Sequence, residues 1–546
     1  MRSWFFGFKT LVLTLLVLPR AASAGEYSLT IDRQAVNVTG TPVQSLTING
    51  QLPGPTLRFK ESEDVVIHVS NRLGEDASMH WHGILLPGQM DGVPGLNGYS
   101  GIKPGETYTY RFKIRQSGTY WYHSHSGTQE QAGLYGALII DPIAPDYVQA
   151  PRDYVVVLSD FTSENSDEIL RHLKTNSGFY NRGRRTVGDF FGDVARDGLG
   201  AAVRDRLGWG EMRMDPTDMA DVSGYTFLVN GKSSAQNWTG LFKPGERVRL
   251  RFINASAMSY FDVRIPGLKM VVVQADGQSV EPVPVDEFRI AVAETYDVIV
   301  APKDDKAYTI FAEPIDRSGY ARGTLAPREG MSGEIPPPRP RAVLTMSDMG
   351  MTHEGMSHDD GARMNHDMGG MDHRSMRHDE PPAVVSDRPR GWANASTPPG
   401  MRALKYSDLK SYEPQKDVRL PEREIVVRLG GNMERYIWTL NGAKAEDAEP
   451  LNLRFGERVK LTFVNETMMA HPMHLHGMFV QLVNGQPADR LPNKHVVSVT
   501  PGASYSVLLT ANEPGEWAFH CHLLYHMASG MMTKVVVARL SAEAAK

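Results

Sequence analysis

Three times along this chain a short apolar run ends in Asn-Gly, and each time a second Asn closes an alternating strand 22 to 24 residues later. The runs are Leu46-Thr47-Ile48-Asn49-Gly50, Phe227-Leu228-Val229-Asn230-Gly231 and Trp438-Thr439-Leu440-Asn441-Gly442. Val65, Ile67 and Val69 precede Asn71; Val248, Leu250 and Phe252 precede Asn254; Val459, Leu461 and Phe463 precede Asn465. Side chains two apart share a face of a strand, so this period marks half-buried antiparallel strands joined by Gly- and Pro-containing turns. A unit of that kind, used three times in 546 residues, predicts an all-β chain of three sandwich domains of ordinary size. The domains are expected at 25–145, 150–345 and 401–546. Two stretches break the repeat. Residues 163–224 form an insertion with helical spacing at Val187, Phe190, Phe191 and Val194, expected to pack on the domain surface or to cover an entrance. Residues 346–400 are expected to be a flexible segment and linker, of which 346–380 carry eight Met and five His with no apolar periodicity.

The one cysteine, Cys521, cannot close an intrachain disulfide. It lies in His520-Cys521-His522, with His526 five residues on and Met531 ten residues on. Two His, one Cys and a weak axial Met are the ligands of a blue-copper centre. Ten of the 18 histidines gather in four clusters: His80-Trp81-His82, His123-Ser124-His125, His471-Pro472-Met473-His474-Leu475-His476, and the cysteine run. Each His-x-His pair sets two imidazoles on one face of a strand.

Aligning the repeats shows which copies can hold metal. Asn71 to His80 and Asn465 to His474 are the same distance, nine residues. In the middle copy that offset falls on Val263 and Ile265, which cannot ligate. Gly118 to His125 matches Gly515 to His522, with Ser124 in place of Cys521, Gln129 in place of His526 and Leu134 in place of Met531. The first copy therefore keeps paired His without a mononuclear site, and the second keeps neither. The simplest arrangement sets an eight-His cluster between the first and third domains.

The four ordered motifs resemble the copper signatures of multicopper oxidases. The likeness is strongest to the bacterial copper-resistance branch (copper resistance protein A type), and it runs over essentially the whole chain after residue 24. The stretch from Arg185 to Asp218 and the Met/His-rich segment also resemble that branch. The resemblance implies cupredoxin-like Greek-key sandwiches and four copper ions: one type 1, one type 2 and two type 3. It implies type 1 ligands His471, Cys521, His526 and Met531, and type 2 ligands His80 and His474. The type 3 ligands would be His82, His123, His125, His476, His520 and His522. It further implies electron transfer from Cys521 through its two flanking His and reduction of O2 to water, with the protein placing the cofactor. Asp91 matches an acidic position of the family and is expected to serve proton delivery, which the reaction requires. Some relatives place Glu directly after the last type 1 His, where this chain has Met527, so a second proton route is open to question.

Residues 1–24 carry Arg2 and Lys9, an apolar run from Leu11 to Leu18, and Ala22-Ser23-Ala24, which reads as a signal peptide cleaved after about Ala24. A periplasmic location is expected. The apolar run is too short to span a bilayer, and no later run suffices. Loss of Arg2, Lys9 and Arg20 takes the net charge from −5 to −8, which gives no case for nucleic acid or an anionic membrane surface. For substrate, the Met/His-rich segment supplies Cu(I) candidates: Met349, Met351, His353, Met356, His358, Met364, His366, Met368, Met371, His373, Met376 and His378. Soft thioethers select Cu(I). Met468, Met469, Met473 and Met478 flank His471, with Asp447 or Glu466 as a nearby carboxylate. Oxidation of Cu(I) to Cu(II) in copper tolerance, with possible copper-delivery partners, is the favoured reading. Laccase-like oxidation of phenols is the alternative, and a non-catalytic copper store is the alternative of another class.

Overall fold

The computed structural model describes residues 25–211, 215–217, 219–340, 344 and 397–539. Residues 1–24 and every Met/His candidate from Met349 to His378 lie outside the described residues. Each repeat is a cupredoxin-like sandwich of two sheets. In the first, Val43–Ile48, Gly25–Val36, Asp64–Asn71 and Thr107–Lys113 face Gly54–Lys60, Tyr135–Asp141, Gly118–His123 and His80–His82. The second pairs sheets of seven and five strands, and the third sheets of six and five.

The repeated residues explain themselves at the backbone. Asn49, Asn230 and Asn441 have φ of 53°, 49° and 52°, and the glycine after each is also positive, the conformation a tight hairpin turn requires. Each Asn side chain then accepts from a neighbouring strand: Thr30, Val157 and Arg428 donate backbone N–H at 2.7, 2.7 and 2.8 Å. The strand-closing Asn71, Asn254 and Asn465 are buried and donate to carbonyls of adjoining loops at 2.8, 2.8 and 2.7 Å. In every domain the first strand lies parallel to the strand that ends in this Asn, as Gly25–Val36 does beside Asp64–Asn71. The three sandwiches share one continuous apolar core.

The insertion holds three helices, Ser166–Thr175, Val187–Asp197 and Leu199–Glu211. The second buries no residue fully and leaves Val187 and Phe191 at 74% and 65% exposure, while Phe190, under the Arg206 guanidinium of the third helix, and Val194 are half-buried. The end of the insertion does reach the interior: Met219 and Asp221 are each 1% exposed. Among the described residues no helix is long and apolar enough to cross a membrane.

Candidate metal centres

Register explains the spacing around Cys521. Strand Gly515–Cys521 pairs with His471–Leu475, with Met473 opposite Cys521 and His474 opposite His520. Alternation sends His471, Met473 and Cys521 to one face and His474, His476 and His520 to the other. The three-residue step from His471 to His474 therefore splits one motif between two sites. The short helix Leu524–Ala528 brings His526 back to the sulfur. Cys521 Sγ lies 3.5 Å from His471 Nδ1 and 3.7 Å from His526 Nδ1, and the two Nδ1 atoms are 3.1 Å apart. Met531, fully buried, accepts the Cys521 N–H at its backbone carbonyl at 3.1 Å. The far ring nitrogens are held in turn: His471 Nε2 by Thr467 Oγ1 at 2.7 Å and His526 Nε2 by Asp221 Oδ2 at 2.6 Å. Trp438 stacks on His526 at 3.9 Å. Burial pushes the Cys521 thiol far up, while burial and then His526 hold His471 well below the usual histidine range. The pair is a neutral thiol beside a neutral imidazole, from which a soft cation displaces one proton on binding.

On the opposite face eight imidazoles meet across the first and third domains. Strand His80–His82 pairs with Gly118–His123, His80 opposite His123. His80 stacks near His476 and His82 on His474, both at 3.9 Å between ring centres. His520 Nε2 lies 3.1 Å from His476 Nε2 and 3.4 Å from His125 Nε2. The Nδ1 atoms are turned outward. His80 donates to the Asp91 carbonyl at 2.7 Å, His474 to the His495 carbonyl at 2.8 Å and His520 to the Cys521 carbonyl at 3.0 Å. His476 Nδ1 meets Asp91 Oδ2 at 2.9 Å, and His123 Nδ1 meets Glu130 Oε2 at 2.7 Å. Such partners fix a ligating ring's tautomer and direction. The Nε2 atoms of His80, His123, His474 and His522, and both nitrogens of His82, are buried without a hydrogen-bond partner. Unpaired buried nitrogens are costly unless something else binds them. Burial, then neighbouring imidazoles, holds His82, His125, His474 and His476 well below the usual histidine range, so they stay neutral and free to ligate. Trios such as His80, His474 and His476, or His125, His476 and His520, bring ligand atoms within 4.8 Å of one another. The residues fit metal, and the thiol with two imidazoles next door, His471, Cys521 and His526, fits a soft ion such as copper.

Asp91 reaches this cluster through a turn that only glycine can complete. Gly92 has φ of 82°, and a Cβ there would lie 1.8 Å from the Met79 carbonyl oxygen. The turn holds the Asp91 carboxylate, 1% exposed, between His476 and His80.

The first domain shows how a mononuclear site closes without its ligands. Ser124 Oγ donates to Gln129 Oε1 at 2.8 Å, and the Ser124 N–H reaches the Leu134 carbonyl at 2.9 Å, as Cys521 N–H reaches Met531. In the middle domain Val263 and Ile265 are core residues.

Four participants escaped the sequence. The carboxylate on the Cys521 side is Asp221, not the expected Asp447 or Glu466: Asp447 is exposed, and Glu466 sits at the surface paired with Arg428. Of the flanking methionines, Met469, Met473 and Met478 are buried core. Thr467 and His495 also touch the sites. Both His495 nitrogens are buried without a hydrogen-bond partner, Nδ1 lies 3.8 Å from Asp276 Oδ2, and the ring lies 4.8 Å from His82. It belongs to no His-x-His pair. Glu130 was within reach of the repeat alignment, since the offset that matches Gln129 to His526 matches Glu130 to Met527. Burial, then Asp160, pushes its carboxyl well above the usual range.

Comparison with known proteins agrees with this geometry. Family profiles described as multicopper oxidase match residues 30–145, 152–329 and 419–541. The chain is 51% identical to copper resistance protein A of Escherichia coli, over 96% of this chain and 94% of that one. It is 48% identical to copper resistance protein A of Pseudomonas syringae pv. tomato (94% and 93%), and 30% identical to multicopper oxidase MmcO of Mycobacterium tuberculosis (95% and 88%). Its fold is similar to that of Fet3p, a multicopper oxidase that functions in iron import, with TM-score 0.67, 19% identity, and 94% and 90% of the two chains covered. The laccase of Botrytis aclada matches at TM-score 0.65 and 21% identity, over 94% and 88%.

Proposed function

The chain belongs to the multicopper oxidase family, and on that premise we propose that it is a periplasmic cuprous oxidase, passing electrons from Cu(I) to O2 in copper tolerance. The names of its copper-resistance relatives support that role. His471, Cys521, His526 and Met531 would hold the type 1 copper. His80 and His474 would hold the type 2 copper, and His82, His123, His125, His476, His520 and His522 the type 3 pair. Bound copper supplies the one-electron chemistry, four electrons for each O2 taken to two waters. The protein's share is connection and protons. Cys521 is covalently joined to His520 and His522, so one strand carries the path between the two sites. Asp91 touches both His80 and His476 and is the group placed to hand protons to the eight-His cluster.

One observation carries the choice of Cu(I). Leu344, the last described residue before the Met/His-rich segment, donates its N–H to the Pro216 carbonyl at 2.8 Å. Pro216 lies five residues before Asp221, the partner of His526. The described chain before the thioether-rich segment thus ends bonded to Pro216, five residues in sequence from the carboxylate that bonds His526, and the buried Met219 lies between the two in sequence. In this reading the segment 346–380 captures Cu(I), from solution or from a copper-delivery protein, and releases it toward Asp221. The test is oxygen uptake by copper-loaded protein given Cu(I) under air, with and without residues 346–380. Loss of Cu(I)-driven uptake on deletion supports the reading; an unchanged rate contradicts it. Phenol oxidation is a second reading, favoured by an aromatic cavity on the other side of His471.

A further inference from the structure

The two type 1 histidines meet very different surroundings. The outer edge of His526 is sealed: Asp221 accepts from its Nε2, Tyr436 donates to the same carboxylate at 2.7 Å, and Trp438 covers the ring. All three are 1% exposed. A small organic molecule cannot touch that imidazole without dislodging the end of the insertion.

Behind His471 the situation reverses. Val499 is its cross-strand partner and Ala470 its chain neighbour, and both line a cavity of about 520 Å3 between the second and third domains. Its other walls include Tyr260, Tyr406 and Tyr505. A hydrogen-bond chain fixes these rings. The Tyr260 hydroxyl bonds Ser498 Oγ at 3.1 Å, the Ser498 N–H donates to the Tyr406 hydroxyl at 3.0 Å, and Tyr406 donates to Glu294 Oε1 at 2.5 Å. Tyr505 meets Tyr406 edge-on at 5.7 Å. The buried charges on the wall are already matched, Glu294 by Lys494 at 3.0 Å and Arg289 by Asp262 at 2.7 Å, and the one further charged residue of the lining, Lys405, is exposed. A preformed aromatic chamber with hydroxyls and no unbalanced buried charge suits a small neutral aromatic molecule.

We propose that this cavity is the docking site of a neutral single-ring phenol, which reduces the protein through Ala470 and His471 rather than through His526. The inference rests on the phenol-oxidase reading and gives it a place separate from the Cu(I) route. Each phenol loses its O–H proton to water in the cavity and one electron to the protein, and leaves as a phenoxyl radical. Four phenols and one O2 become four phenoxyl radicals and two waters.

The test uses copper-loaded protein with 2,6-dimethoxyphenol as donor and 1,2,3-trimethoxybenzene, which has no O–H to lose, as a calorimetric binding probe. Ala503→Phe fills the cavity from its rim, and Tyr505→Leu removes one aromatic wall, so the test survives if either variant folds poorly. Both are expected to keep the blue absorbance and to oxidise Cu(I) within twofold of the parent. Each should lower kcat/KM for the phenol at least tenfold, with binding of the probe lost in Ala503→Phe. If the parent oxidises the phenol and both folded variants match it, the phenol reading stands and this site is wrong. A parent that leaves the phenol untouched overturns the reading and the site together.

Discussion

Asp221 is the residue whose replacement separates structural support from electron supply. Its Oδ2 accepts two hydrogen bonds, from His526 at 2.6 Å and from Tyr436 at 2.7 Å, and all three residues are at most 1% exposed, so solvent screening is slight. Asp221→Asn keeps an acceptor oxygen but removes the charge. A hydrogen bond to a charged group contributes about 1.5–3 kcal/mol and a neutral one about 0.5–1.5 kcal/mol, so two weakened bonds should cost roughly 2–3 kcal/mol. Asp221→Ala leaves two buried donors unpaired at about 1–3 kcal/mol each, for roughly 2–6 kcal/mol. The order parent, Asn, Ala should therefore appear in urea unfolding of the copper-free protein. In oxygen uptake, Asn should slow Cu(I) oxidation several-fold, because the anion beside His526 is gone, while phenol oxidation holds. An Ala variant as stable as the parent, or an Asn variant with full Cu(I) activity, refutes the reasoning.

Other outcomes follow from the same geometry. Asp91→Asn should slow O2 reduction at least tenfold with the blue absorbance intact, since its contacts are to His80 and His476 and not to Cys521; stopped-flow reoxidation checks this. Deleting 346–380 should depress Cu(I) oxidation at low Cu(I) and leave phenol turnover alone, as oxygen-electrode traces would record. Copper-free protein should lose stability in acid. Burial holds His495 and His520 down to about 4 against an ordinary value of 6.5. Between those pH values the unfolded chain binds more protons, so stability rises with pH across the window and falls as pH drops from 6.5 towards 4. The ceiling is about 3 kcal/mol for each group, and urea midpoints at pH 7 and 4.5 measure it.

The architecture was legible because its signals are local. Asn-Gly turns with positive φ, alternating strands and buried closing Asn residues all lie within short windows, and they recur. The clustering of the histidines was legible for the same reason, since a His-x-His pair declares its face on a strand. What escaped were contacts made across the chain. Asp221 lies 305 residues from His526, and Asp91 meets His476 across 385. Asp221 closes an insertion whose helices gave a clear period, but nothing in that period says that its last turn reaches into the third domain. Glu130 was hidden differently: it follows Gln129 in the repeat, where it matches Met527 rather than a histidine or cysteine, and its contact is to the ring of His123. The cavity behind His471 has no sequence signature, since its tyrosines come from two domains far apart in sequence.

The central claim is that every electron enters through the single thiol. It is tested most directly by oxygen uptake of Cys521→Ser, loaded with copper and compared with the parent under Cu(I) and air. Ser124 occupies the matching position of the first domain within an intact sandwich, so the variant should fold. The expected result is no blue absorbance and oxygen uptake at the level of the buffer blank. Uptake at the parental rate would contradict the account.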